Sequence, residues 1–359
     1  MRNCAISWMS ANCGNLGELP NPAACDHSAA GVEIWVHFAY RWWAPKEGAR
    51  ARHMTHGLTE RERTPASGQE GPSARDVIAA MQSHPQFPHA ARASISRMVA
   101  VYEGNRLLNQ LMNDRARVLF THCALAQHFS RSEDDPTSGL TVSRMKSTCN
   151  QLQLCSSGRV EAMFAMLRIS GYLAAAEGDA DRRLRRLVPT EKLIALHRRR
   201  WRDQFGAMSE VVDDAALSLA ALDDERFFAA FAREMGRQYR RRRMIEGVPE
   251  LAPFVEIKAG LVLLFTLLLA DEADGGFSTE QAVPVSVSAL AKTFAVSRKH
   301  VLVVLREAEK QGLLRRIGVR GEQVMLQPKL VHAVNNLIAG AFLQLSHSAR
   351  AARYEVGLA

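Results

Sequence analysis

Two serine-led segments carry the residue types best suited to chemistry with an anion. Ser297 precedes Arg298, Lys299 and His300, and Ser156 precedes Ser157, Gly158 and Arg159. A serine placed just before an apolar-periodic run reads as a helix N-cap, its hydroxyl accepting from backbone N–H groups that otherwise lack partners. Cations in the following turn oppose the helix dipole at a cost of ~0.3–1 kcal/mol each. Arg298 and Lys299 therefore read as charges kept to meet an anion. Guanidinium and ammonium groups donate to phosphate oxygens and to guanine edges. More cations follow each segment: Arg182, Arg183 and Arg185 after the first, and Arg315, Arg316 and Arg320 after the second. Together with Ser156, Ser157, Arg159, Ser297, Arg298, Lys299 and His300 they form the candidate DNA-contacting set.

Catalytic chemistry has no comparable signal. The chain holds no P-loop, GxSxG, HExxH or dinucleotide fingerprint. Asp213–Asp214 and Asp223–Asp224–Glu225 lack histidine partners and read as a solvated helix face. The basic runs at His197–Arg202 and Arg240–Arg243 read the same way. No enzyme activity, cofactor or metal is expected.

The elements that must position these side chains are short helices and hairpins. In Val285–Gly318, Ser288 is expected to cap a first helix with Leu290, Ala291 and Phe294 on its apolar face. A tight turn at Ala295–Val296 follows, then a second helix with Val301, Val304, Leu305 and Ala308 inward. Gly312 stops that helix in the left-handed conformation. Short strands around Gly318 and Gly321 make a basic hairpin. Leu140–Leu173 repeats the plan, with Ser156 or Ser157 as cap, Val160, Met163, Phe164 and Leu167 inward, and Gly171 as stop. Its hairpin is expected to run out along Tyr172–Ala176 and return along Arg182–Val188. Ser156, Val160 and Gly171 each find their counterpart 141 residues on, at Ser297, Val301 and Gly312. A second helix held out at its start, beside a basic hairpin, is the geometry that enters a major groove.

On these residues the first unit resembles a MarR-type winged helix, with the Asp- and Arg-rich wing GDADRRLRRLVPTEK leading into a helix. The second resembles bacterial winged helices in general. The resemblance implies a transcriptional regulator that reads double-stranded DNA through recognition helix and wing. MarR proteins carry one winged helix per chain and dimerise through flanking helices, whereas this chain carries two. A plasmid-type replication initiator, or a winged-helix module for assembly of a chromosome-organising complex, are the alternatives.

The 359 residues carry 46 Lys and Arg against 37 Asp and Glu, a net charge of +9 that favours polyanionic partners. The expected organisation is mainly α with small β-hairpin wings. Residues 1–75 read as a disordered or mis-assigned N-terminal extension, 94–190 as the first unit, 191–250 as a helical connector and 251–348 as the second unit. Helical periodicity is first sustained from Ser94. The six cysteines show no CxxC pairing and read as reduced thiols. The longest apolar stretch, Ala259–Ala270, is too short for a membrane span of about 20 residues. A cytoplasmic protein without membrane association is expected, able to form a homodimer. No effector is named by the sequence.

Overall fold

The computed structural model describes residues 73–102, 115–135, 137–176, 186–241, 247–270, 275–319 and 321–358. The reading of residues 1–75 thus lies almost wholly outside the described residues. Within them the chain is mainly α-helical with two small antiparallel sheets. No described helix is long and apolar enough to cross a membrane.

Helix α1 (Ala74–Gln82) opens on a capping box: Ser73 accepts from the Asp76 N–H, and the Asp76 carboxylate accepts from the Ser73 N–H at 3.0 Å. Helix α2 (Phe87–Ala100) follows, burying Phe87, Ala90, Ala91, Ile95 and Val99. Helical order therefore begins well before Ser94. Alanines carry much of that early buried face, and alanine adds little to an apolar periodicity.

Helix α3 (Arg115–Phe129) leads into α4 (Val142–Gln151) and α5 (Ser157–Ile169), then strands β1 (Leu173–Ala175) and β2 (Leu187–Pro189). The strands pair antiparallel, Leu173 opposite Pro189, and a lone bridge joins Thr141 to Arg186. Helices α6 (Glu191–Met208), α7 (Ala215–Ala221) and α8 (Glu225–Arg241) come next. Beyond α8 the second half runs α9 (Ala252–Glu256), α10 (Gly260–Leu268), β3 (Ala282–Pro284), α11 (Val287–Thr293), α12 (Arg298–Lys310), β4 (Leu314–Ile317), β5 (Gln323–Leu326) and α13 (Pro328–Val356). Its sheet has the order β3-β5-β4.

The expected connector contains much of the core. Trp201 of α6 meets Phe231 of α8 at 4.8 Å between ring centres and Phe228 at 5.1 Å. Phe205, Phe227 and Phe231 are fully enclosed. The basic run on α6 is only in part a solvated face, with Arg199 and Arg202 exposed. His197 is buried, Arg198 pairs with Glu225 and donates to the Leu222 carbonyl, and Arg202 pairs with Asp223 at 2.6 Å. Asp214, also expected to be solvated, accepts from Arg350 and Arg353 of α13 at 2.9 and 3.1 Å.

The two halves repeat one another. α5 and α12 keep the 141-residue spacing, as do the starts of β1 and β4, and as do the buried sets Val160, Met163, Phe164, Leu167 and Val301, Val304, Leu305, Ala308. The packing repeats too, and crosses over. α2 packs on α6 of its own half and on α10 of the other, while α8, which lies 141 residues on from α2 and so opens the second half, packs on α13 of its own half and on α3 of the other. Reciprocal packing of this kind is the mark of a two-fold interface, here within one chain.

Candidate nucleic-acid interface

The second unit is built from its turn outward. Ser286, rather than Ser288, caps α11, its Oγ accepting from the Ala289 N–H at 3.2 Å. The chain reverses at Ala295, whose φ of 50° is left-handed. The Val296 N–H donates to the Ala291 carbonyl at 3.0 Å, and Phe294 plugs the angle between the two helices with no exposed surface. Ser297 then caps α12, accepting from the His300 N–H at 3.1 Å. At Gly312, φ of 68° ends the helix, and the Leu313 N–H donates to the Ala308 carbonyl at 2.9 Å.

Four apolar residues pin α12 inward, so its opposite side must face solvent. Arg298 and Lys299 are exposed. So are Val303, Arg306 and Lys310, which with Lys299 form a stripe at three-to-four spacing. Arg306 and Lys310 lie outside the set expected from sequence, although their spacing from Lys299 is a signal that finds them. The β4–β5 hairpin packs beside α12, with Arg315 exposed on β4 and Val319 fully exposed at the tip.

Two candidates are redirected by the structure. His300 is half-buried and its Nε2 donates to the Lys258 carbonyl at 2.7 Å, while Lys258 Nζ donates to the Ala295 carbonyl at 3.4 Å. This pair ties the first turn of α12 to the segment before α10, so His300 is a tether for the helix start. Arg316 is likewise engaged. Its backbone N–H and its Nε donate to the Glu309 carboxylate at 3.0 and 2.8 Å. The backbone bond first, then the guanidinium, hold the Glu309 carboxyl below its ordinary range. Arg316 thus fastens the hairpin to α12 and is not presented to a phosphate. Arg320 lies outside the described residues.

The first unit has the same frame with a different surface. Gln153 takes the left-handed turn position at φ 50°, and the Leu154 N–H donates to the Cys149 carbonyl at 2.9 Å. Ser156 occupies the N-cap of α5 with extended backbone, yet its side chain makes no cap hydrogen bond. Ser156, Ser157 and Gly158 are exposed, and Arg159 is half-buried with its Nε closed off from solvent. Gly171 (φ 71°) stops the helix, and the Tyr172 N–H donates to the Leu167 carbonyl at 2.8 Å. Lys146 pairs with Glu161 across α4 and α5. The hairpin returns along Leu187–Pro189, later than expected, and Arg182, Arg183 and Arg185 lie outside the described residues.

Comparison with protein-family models, curated proteins and solved structures finds no match to this chain. The surface must therefore be judged on its own chemistry. Both helix starts face solvent, one through the exposed cations Arg298 and Lys299 and one through the uncharged Ser156, Ser157 and Gly158. Cys123, Cys149 and Cys155 form no disulfide, and no cluster among the described residues could hold a metal ion.

Proposed function

We propose that this chain is a sequence-specific DNA-binding transcriptional regulator built on two winged helices, the first MarR-like. The order helix, strand, helix, helix, strand, strand through α10, β3, α11, α12, β4 and β5 supports a winged helix for the second half. In the first half the Thr141–Arg186 bridge stands where β3 stands in the second. One observation carries the reading. The Ser297-capped start of α12 holds Arg298 and Lys299 in solvent against the helix dipole, beside a hairpin bearing Arg315. That is the disposition by which a helix enters a major groove while the wing reaches the backbone.

The reciprocal packing supports an intramolecular counterpart of a two-fold dimer. Such a body offers its readers to inverted half-sites about 34–36 Å apart. Because Arg298–Lys299 and Ser157–Gly158 differ, the two half-sites would differ in sequence. Linking them on one chain raises affinity through effective concentration.

The uncharged exposed residues at the start of α5, Ser156, Ser157 and Gly158, favour a second reading for the first unit alone, as a docking surface for a protein partner. Genome-wide capture of bound DNA, with mobility shifts over a salt series, tests both. Enrichment of bipartite sites with steeply salt-dependent binding supports two readers. A single half-site, read by α12, supports docking by the first unit. Salt-independent or undetectable binding overturns the regulator reading.

A further inference from the structure

The outward side of α12 has a composition that contact between cations and phosphates alone does not explain. At about 100° per residue, Lys299, Val303, Arg306 and Lys310 fall within about 60° of one another, opposite the buried Val301, Val304, Leu305 and Ala308. Three of the four are exposed cations, and the fourth is a valine left 45 % exposed. Both carboxylates of the helix are engaged by neighbours: Glu307 accepts from Gln311 at 2.8 Å, and Glu309 from Arg316 at 2.8 Å. The stripe is therefore positive except at Val303.

A β-branched side chain gives up rotamer freedom in a helix, so valine is a poor filler for a solvated face. The face related by the repeat, on α5, carries Gly158, Ala162, Ala165 and Ile169, 141 residues earlier and without charge. Of the two faces, only that of α12 sets an aliphatic group between cations. A surface that suits this stripe must be anionic and yet hold an apolar spot. The major groove of duplex DNA offers both: phosphates along its walls and, among the base edges on its floor, the C5 methyl group of thymine. The helical rise sets Val303 about 6 Å along the axis from Lys299, or about two base pairs.

We propose that Val303 reads the C5 methyl group of a thymine in the half-site entered by α12, about two base pairs from the edge met by Lys299. The contact rests on the DNA-binding reading and adds to it a base and the group recognised on that base. The valine methyls cover the thymine methyl and exclude water from it. Lys299 and Arg306, one turn to either side, hold the helix in the groove. Cytosine presents an amino donor and no methyl at its major-groove edge, so the contact tells the two pyrimidines apart.

The test starts from duplexes that the full chain selects out of a random-sequence pool. Each thymine of the selected site is replaced in turn by deoxyuridine, which lacks only the C5 methyl, and affinity is measured by fluorescence anisotropy. Deoxyuridine at one position is expected to bind about fourfold more weakly, the value of one buried methyl group. In Val303→Ser that loss should shrink to under about twofold, because no aliphatic group remains to meet the methyl. In Val303→Ile it should be kept. Both substitutions are at an exposed site and should retain the α-helical circular dichroism, and the scan on the parent chain can refute the contact without them. A selected site with no thymine, a scan with no sensitive position, or a sensitivity unchanged in a folded Val303→Ser chain overturns the contact while leaving sequence-specific binding intact. A pool in which no sequence is enriched sinks the regulator reading, and the role of Val303 falls with it.

Discussion

Replacing Arg298 and Lys299 together by alanine should move stability and DNA affinity in opposite directions. Both side chains are exposed in the first turn of α12, where the N–H dipoles point at them. Removing a like-signed charge from a helix start contributes ~0.3–1 kcal/mol. Solvent and salt screen these exposed groups, so the low end applies and the pair gives about 0.6 kcal/mol. For a body of this size that is a rise in melting temperature of roughly 1–2 °C. Each side chain that reads a base supplies ~1–3 kcal/mol of discrimination, so the same variant should bind its site about fivefold to 150-fold more weakly if one of the two reads a base, and more weakly still if both do. If either cation meets a phosphate, the log–log salt slope falls by about 0.9 for every phosphate left without its cation. Calorimetric melting and fluorescence anisotropy on a duplex supply the two readings. Arg240→Ala, an exposed cation on α8, is the control and should leave affinity within about twofold, as expected away from the reading face. A fall in melting temperature would refute the dipole argument. Affinity unchanged, or no lower than in Arg240→Ala, would refute the assignment of the reading face.

Three further outcomes follow from other parts of the molecule. Phe294→Ala empties the angle between α11 and α12, and should cost about 3–5 kcal/mol by urea unfolding, as for other buried phenylalanines. Glu309→Gln weakens the clasp on Arg316, so amide exchange in β4 and β5 should quicken at neutral pH. Because the Glu309 carboxyl is depressed in the fold, its contribution is present above the ordinary carboxylate range. It is lost as pH falls through the lowered native value, so the parent hairpin should loosen in acid while Glu309→Gln shows a smaller change. His122 is pushed down to about 3, and His197 well below its ordinary value, chiefly by burial, with Arg200 adding to the effect. Both stay neutral in the fold while the unfolded chain takes up protons near pH 6.5. The urea midpoint should therefore drop steadily from about pH 7.5 to 5, and a flat profile would contradict their burial as neutral rings.

The candidate interface is legible in the sequence wherever local rules decide the structure. Ser297 caps α12 as its position implies, Gly171 and Gly312 stop their helices in the left-handed region, and the inward sets of α5 and α12 are those the 3.6 periodicity predicts. What escapes is set by distant partners. Nothing around His300 reveals that its imidazole bonds to the Lys258 carbonyl, and nothing around Arg316 reveals Glu309. The third strand, β3, is only Ala282–Pro284 and has a proline at its end, so it lacks a strand signature and is held by β5. The charge run on α6 reads as solvated because sequence cannot show Glu225 and Asp223 waiting on the neighbouring turn.

The crossing of α2 and α8 between the halves has a consequence for how this molecule can change over time. Each half completes its hydrophobic seam with a helix that also belongs to the other. A chain divided near its middle would leave both pieces with an uncovered apolar groove and a strong tendency to reassociate. Loss of either half is thereby barred, while the solvent-facing turns of α5 and α12 drift apart without penalty. On the DNA-binding reading proposed above, one reader can be retuned for a new base sequence as its sibling keeps the old one, and the shared seam holds the pair at constant stoichiometry throughout.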